Sequence, residues 1–310
     1  MAIVQTDVPI TSQSNDRMIQ QLVTAYPSFR TEVLGNTAYG RPLRTLVLGS
    51  GPRKVIYTAS HHANEWITSL VLLKFAEDFG EALASDGEIG GVPAAAIAQA
   101  ATIYMVPMVN PDGVDLVTGA IPPETVPYAS AHGLSAYYPA IPFPEGWKAN
   151  LMGVDLNLQY PAGWLQAREI KFSQGFTRPG PRDYVGRYPL SQPEARALAG
   201  YTEYIDPALI LAYHSQGQVI YWKFGDTQVP GARELGEEFA RLSGYELSDT
   251  PFESGFAGYK DWFIQNFRRP GYTIEVGLGE NPLPLTQFDQ IYRSNVGILI
   301  RAALETAPEQ

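Results

Sequence analysis

A β-branched run ending at Thr58 leads through Ala59-Ser60-His61-His62-Ala63-Asn64-Glu65-Trp66-Ile67 into a helical pattern. In an α/β sheet the C-terminal edge of the strands is where sites are built. A histidine and a glutamate three residues apart across such a turn can converge on one cation, because imidazole and carboxylate both bind zinc at about 2.0–2.2 Å. H-x-x-E alone is a weak signal. It also describes a helix start with a glutamate favoured by the helix dipole. The chain has four histidines, His61, His62, His132 and His214, so any imidazole chemistry draws on these. It has no cysteine, which excludes disulfides, thiolate metal sites and cysteine nucleophiles.

Other chemistries find no support. There is no G-x-S-x-G elbow, no G-x-x-x-x-G-K-[ST] loop and no H-E-x-x-H helix. Gly49-Ser50-Gly51 follows a strand, but no helix-opening glycine comes three residues later, so it reads as a turn.

The elements that must position a site alternate along the chain. Short apolar or β-branched runs over 44–48, 54–58, 102–109, 209–213, 219–222 and 272–276 read as strands. Helical spacing marks 15–26, 65–79, 191–204, 232–242 and 287–304. Ser191 and Glu194 have the spacing of a capping box. This predicts an α/β fold: a mixed, mostly parallel twisted sheet with helices on both faces. The span from 110 to 190 is rich in Pro, Gly and Tyr and reads as a long functional loop. No composition shift divides the chain. One domain is expected over 15–310, after an extended tail or linker remnant over 1–14 that has neither the basic nor the apolar region of a signal peptide.

Composition bounds the partners. Of 310 residues, 45% are hydrophobic, enough for a sizeable core. With 22 basic and 32 acidic residues the net charge is −10, which argues against nucleic acid or an anionic membrane as the main partner. No apolar run reaches the ~18 residues of a membrane span.

Five further segments share the ends of elements with the first motif: Val106-Pro107-Met108-Val109-Asn110-Pro111-Asp112-Gly113, Gly153-Val154-Asp155-Leu156-Asn157, Pro189-Leu190-Ser191-Gln192-Pro193-Glu194, Ala212-Tyr213-His214-Ser215 and Thr273-Ile274-Glu275-Val276. In this order, and over about 16–304, they resemble the zinc metallocarboxypeptidase family. The resemblance implies one Zn2+ per chain held by His62, Glu65 and His214, three ligands leaving a fourth position for water. His61 is then a neighbour filling the strand end, and His132 a loop or surface residue. Asp155 matches the acid that orients the His62 ring; an Asx turn is its other reading. Glu275 matches the catalytic glutamate, a general base that passes the proton on to the leaving amine. Lys148 falls where the family has an oxyanion-facing arginine, or is a solvated loop lysine.

The chain also departs from the digestive carboxypeptidases. Their asparagine–arginine pair clamps a terminal carboxylate, whereas here Asn157 is followed by Leu158. Lys260, in Gly258-Tyr259-Lys260-Asp261-Trp262, falls at the side-chain specificity position and would suit an acidic leaving residue, unless it is a helix-surface lysine. Arg168, Arg182 and Arg187 are the next cations to consider. Only Phe252 and Phe256 lie near the place of the family's mobile tyrosine. The wording HHANEWIT, VDLNLQYPAGW and AGYKDWFIQNFRRPGYTIEVGLGENPLP is similar to the branch of gamma-D-glutamyl-L-diamino acid endopeptidases. That implies hydrolysis of the bond between gamma-D-glutamate and meso-diaminopimelate or lysine in a muropeptide or peptidoglycan stem peptide. A broad metallocarboxypeptidase on ordinary peptides is the alternative enzyme, and a non-catalytic wall-binding module the alternative from another class.

Overall fold

Continuous runs of Val, Ile, Leu, Tyr and Ala, buried on both faces, make β3 (Arg53–Ala59) and β7 (Leu209–Ser215) the central strands of an eight-stranded sheet. This computed structural model describes residues 2–304. Residue 1 of the expected tail and residues 305–310 of the expected domain lie outside the described residues. The other strands of the sheet are β1 (Arg30–Asn36), β2 (Pro42–Gly49), β6 (Ala101–Val106), β8 (Val219–Tyr221), β9 (Glu246–Ser248) and β10 (Gly271–Val276); β4 (Glu88–Ile89) and β5 (Val92–Pro93) form a separate small hairpin. The order is β1-β2-β6-β3-β7-β10-β8-β9. The block β6-β3-β7-β10 is parallel, flanked by antiparallel pairings at β2·β6 and β10·β8.

Alternation along the strands divides the core between two faces. Val55, Tyr57 and Ala59 of β3, with Leu209, Leu211 and Tyr213 of β7, pack under α1 (Ser12–Ala25), α2 (Ile67–Ala84), α3 (Ala94–Ala100), α8 (Ala232–Ser243) and α10 (Phe288–Leu304). Ile56, Ile210 and Ala212 face α7 (Pro193–Ile205) and α9 (Tyr259–Phe267) on the other side. Helices on both faces and a mixed, mostly parallel sheet are as expected. β3 sends its chain first to β6 on one side and the chain then returns to β7 on the other, so a crevice opens at the β3/β7 switch point.

Several elements differ from the sequence reading. The strand expected to reach 109 stops at Val106, because Pro107 has no N–H to continue the ladder. The edge strands β1 and β9 were invisible as patterns, β1 being half-exposed and β9 three residues long. The supposed loop over 110–190 carries α4 (Pro111–Val117), α5 (Val126–Ser135) and α6 (Trp164–Ser173), each too short for its period to stand out. No capping box forms at α7. Its N-cap is Gln192, Ser191 Oγ donates to Gln159 Oε1 at 3.0 Å, and Glu194 is buried. α1 begins at Ser12, three residues early, with Thr11 as its cap. The segment before it is extended but bound: Val4 and Ile10 are buried, and the Ile3 and Val4 amides donate to Glu77.

Candidate metal centre

The chain leaves β3 through Ser60, in the left-handed region at φ 50, and turns in a short 3-10 segment over Ala63–Glu65. This places His62 and Glu65 at the C-terminal edge of the sheet, where His214 projects from the end of β7. One ligand atom from each of the three residues falls within 4.8 Å of the others. Glu65 Oε1 lies 2.9 Å from His62 Nδ1, and Glu65 Oε2 lies 2.9 Å from His214 Nδ1. The two Nδ1 atoms are 3.2 Å apart.

The donor set fits zinc. Asp155 Oδ1 accepts from His62 Nε2 at 3.1 Å, which fixes that proton on Nε2 and turns the Nδ1 lone pair toward Glu65 and His214. Lone pairs of two imidazoles and a buried carboxylate thus point at one place, an arrangement that a cation stabilises. Without a metal the same place attracts a proton: burial alone would lower the His62 pKa, but Glu65 and Asp155 outweigh it and raise it to about 9, so a cation bound at Nδ1 would displace that proton. Burial works against the Glu65 charge as well, yet His62 and Lys148 hold its carboxyl well below the usual range. His61 stacks on the His214 ring at 5.5 Å, and burial lowers its pKa well below the ordinary value, so it is a neutral packing neighbour. His132 is exposed on α5, stacked on Tyr128.

Asp155 does two things at once. It caps the 3-10 turn over Leu156–Leu158 through Asn157 N, the Asx geometry, and it anchors His62. Its second oxygen accepts the Asp183 amide at 3.2 Å. Burial opposes its charge, but His62 keeps its carboxyl well below the usual range.

Glu275 and Lys148 lie beside the centre. Glu275 ends β10, and burial followed by repulsion from Glu65 raises its pKa to about 8. A carboxyl that holds a proton this readily suits a group that must accept one. Lys148 Nζ is 2.8 Å from Glu65 Oε1, so it is no solvated loop lysine. Burial would lower its pKa, but Glu65 raises it above the usual value.

Two cavities meet here. The smaller, of about 170 Å³, is lined by Asn157, Leu158, Tyr221, Thr250, Lys260, Lys148, Arg182 and Glu275 among others. The larger, of about 700 Å³, is lined by Asn64, Glu145, Ser215, Glu280 and Asn281 among others and shares Lys148, Arg182, Tyr221 and Glu275 with the first. Lys260 is not on the helix surface. It is 4% exposed, and its ammonium contacts Asp261 Oδ1 at 2.6 Å, the Lys223 carbonyl at 2.6 Å and Thr250 Oγ1 at 3.3 Å. Asn157 Oδ1 accepts the Tyr259 amide at the start of α9, tying the cavity wall to that helix. Leu158 occupies the cavity wall where the digestive enzymes carry an arginine. Tyr221 is a site residue that the sequence reading missed; only its alternation on β8 could have marked it. Arg168 and Arg187 line neither cavity, whereas Arg182 lines both.

The zinc carboxypeptidase family model matches residues 16–296, and the chain belongs to that family. It is a zinc metallopeptidase, and the His62, Glu65 and His214 cluster is compatible with one zinc site. Over 284 residues it is 43% identical to gamma-D-glutamyl-L-diamino acid endopeptidase 1 of Lysinibacillus sphaericus, covering 91% of this chain and 69% of that protein. Among solved structures, thrombin activatable fibrinolysis inhibitor shares the fold at a TM-score of 0.73 and 16% identity, covering 98% of this chain and 76% of that one. The murein-tripeptide amidase MpaA of Escherichia coli O157 shares it at 0.55 and 19%, covering 90% and 93%.

Proposed function

We propose that this chain hydrolyses the gamma-D-glutamyl–L-diamino acid bond of peptidoglycan stem peptides, using zinc held by His62, Glu65 and His214. The observation that carries the reading is the meeting of two cavities at Lys148 and Glu275. A peptide bond lying there has room for chain on both sides. Leu158 follows Asn157 where a carboxylate-clamping arginine would stand, and the relative at 43% identity is named for this bond.

When bound, zinc supplies Lewis acidity toward the scissile carbonyl and toward water. Glu275 accepts the proton of the attacking water and delivers it to the diamino acid nitrogen as the C–N bond breaks. Lys148 faces the developing oxyanion as a point charge. Asp155 keeps His62 in the tautomer that leaves Nδ1 free. Asn157 and Lys260 receive the leaving residue in the smaller cavity, where Lys260 exchanges its 3.3 Å contact with Thr250 for the side-chain carboxylate of diaminopimelate. The test compares kcat/KM on a gamma-D-glutamyl-diaminopimelate tripeptide and on an ordinary C-terminal dipeptide. The tripeptide is expected to be hydrolysed at least tenfold faster; equal or reversed rates would make the chain a broad carboxypeptidase.

A further inference from the structure

A γ-linked glutamyl residue differs from an ordinary one in a way that a site can read. Its side-chain carboxyl forms the scissile amide, so its α-carboxylate stays free on the acyl side. A normal peptide presents a neutral amide at the equivalent place. An enzyme that prefers the γ-linkage therefore needs a cation on the acyl side of the bond, close to the oxyanion group but distinct from it.

Asn157 and Lys260 line only the smaller cavity, so with the leaving residue held there the acyl residue takes the larger one, and Arg182 lines both where they meet. Among the described residues lining that larger cavity, Lys148 and Arg182 are the basic ones; Glu145, Glu275 and Glu280 are acidic. A carboxylate entering it must find one of the two cations or be repelled. Lys148 is engaged by Glu65 at 2.8 Å. Arg182 is engaged through Nε, which donates to Asp183 Oδ2 at 2.5 Å. Its Nη1 and Nη2 donate no hydrogen bond among the described residues, and the side chain is 42% exposed.

The guanidinium is nevertheless held in place. Asp183 is clamped by Lys171 Nζ at 2.8 Å, and its amide donates to Asp155 Oδ2 at 3.2 Å. Asp155 in turn binds His62. The turn that orients a zinc ligand thus also orients Arg182. The Pro181 carbonyl accepts the amides of both Lys148 and Ala149, at 2.7 and 2.8 Å, which fixes the two cations as neighbours. A planar fork with its terminal edge free, on a rigid turn beside the reaction centre, is the geometry of a bidentate carboxylate receptor.

We propose that Arg182 binds the free α-carboxylate of the γ-linked D-glutamyl residue and so selects the γ-linkage on the acyl side. This deepens the function proposed above and rests on it. Two substrates separate the inference from its foundation: L-alanyl-γ-D-glutamyl-meso-diaminopimelate and the same peptide with the α-carboxylate amidated, as D-isoglutamine. The zinc-loaded wild type should prefer the free acid by about ten- to a hundredfold in kcat/KM, the worth of a charge-assisted pair. Arg182→Gln should bring the two substrates within about threefold of each other, mostly through a higher KM for the acid, with zinc still at one per chain. Arg182→Lys should keep part of the preference. A wild type that cleaves both peptides equally, or an Arg182→Gln variant with the wild-type ratio, would overturn the role of Arg182 and leave the γ-glutamyl activity standing. A wild type that cleaves neither would remove that activity and this inference with it.

Discussion

Glu275 stands directly beside His214, the two residues paired in register across the parallel strands β10 and β7. Paired residues on adjacent strands point to the same face of a sheet. The proposed base and one proposed zinc ligand are thus placed by sheet register alone, independent of any loop. A slip of one residue would send Glu275 to the opposite face, into the core with Ile274. The proposed metal site and the proposed base thus share one pair of adjacent strands.

Loss of a ligand is expected to empty the site. His214→Ala removes one of three converging ligand atoms and leaves Glu65 with His62 and Lys148 as partners. Zinc content by atomic emission should fall from one per chain to a trace. A variant that retains full stoichiometric zinc would show that His214 is not a ligand.

The base should be separable from the metal. Glu275→Gln removes the proton acceptor but no ligand, so zinc content should hold while kcat falls by at least ~10²–10⁴. Retention of more than about a tenth of wild-type kcat would take Glu275 out of the mechanism.

Selectivity on the leaving side is assigned to Lys260. Its burial in the smaller cavity makes a charge-assisted contact to the second carboxylate of diaminopimelate worth roughly 1.5–3 kcal/mol. Diaminopimelate tripeptides should be preferred over lysine ones by about ten- to a hundredfold, and Lys260→Met should abolish most of that ratio. An unchanged ratio in the variant would mean that Lys260 serves only its bond to Asp261.

Glu194 gives the fold a pH dependence away from the metal. Burial, with repulsion from Asp112 adding to it against hydrogen bonds from its own amide and Asn150, raises its pKa to about 7. In the unfolded chain it titrates near 4.5. Between those values the folded state holds the extra proton, so stability is full below about 4.5 and declines as pH rises through 7. At one unit per ~1.4 kcal/mol the loss approaches about 3 kcal/mol. Glu194→Gln should therefore raise Tm relative to wild type at pH 8 and change it little at pH 5. Equal shifts at both pH values would contradict the buried, protonated state.

The site was legible through the order of its motifs and their resemblance to the zinc carboxypeptidases, because H-x-x-E alone is a weak signal. His62, Glu65, His214 and Glu275 lie at strand ends marked by apolar runs, and the four are together in the fold. Asp155 was legible as an acid in a Val-Asp-Leu-Asn turn, and it meets His62. What the pattern hid depends on tertiary placement. Ser191 and Glu194 had the spacing of a cap, but Gln159 captures Ser191 and burial takes Glu194 into the interior. Lys260 reads equally as surface or pocket until Asp261 and the Lys223 carbonyl enclose it. α4, α5 and α6 are too short to show a period, although α6 contributes Lys171 to the smaller cavity. Arg182 itself carries no local signal. Its place follows from Asp155 holding the Asp183 amide.

The most direct test of the central claim is mass spectrometry of a defined stem peptide that extends one residue beyond the diamino acid, before and after incubation with the zinc-loaded protein. The predicted result is a single cut between gamma-D-glutamate and the diamino acid, giving an alanyl-glutamate fragment and a dipeptide that begins with the diamino acid. The cut should disappear with a chelator and return with zinc. Removal of the last residue alone, or an intact peptide, would contradict the account.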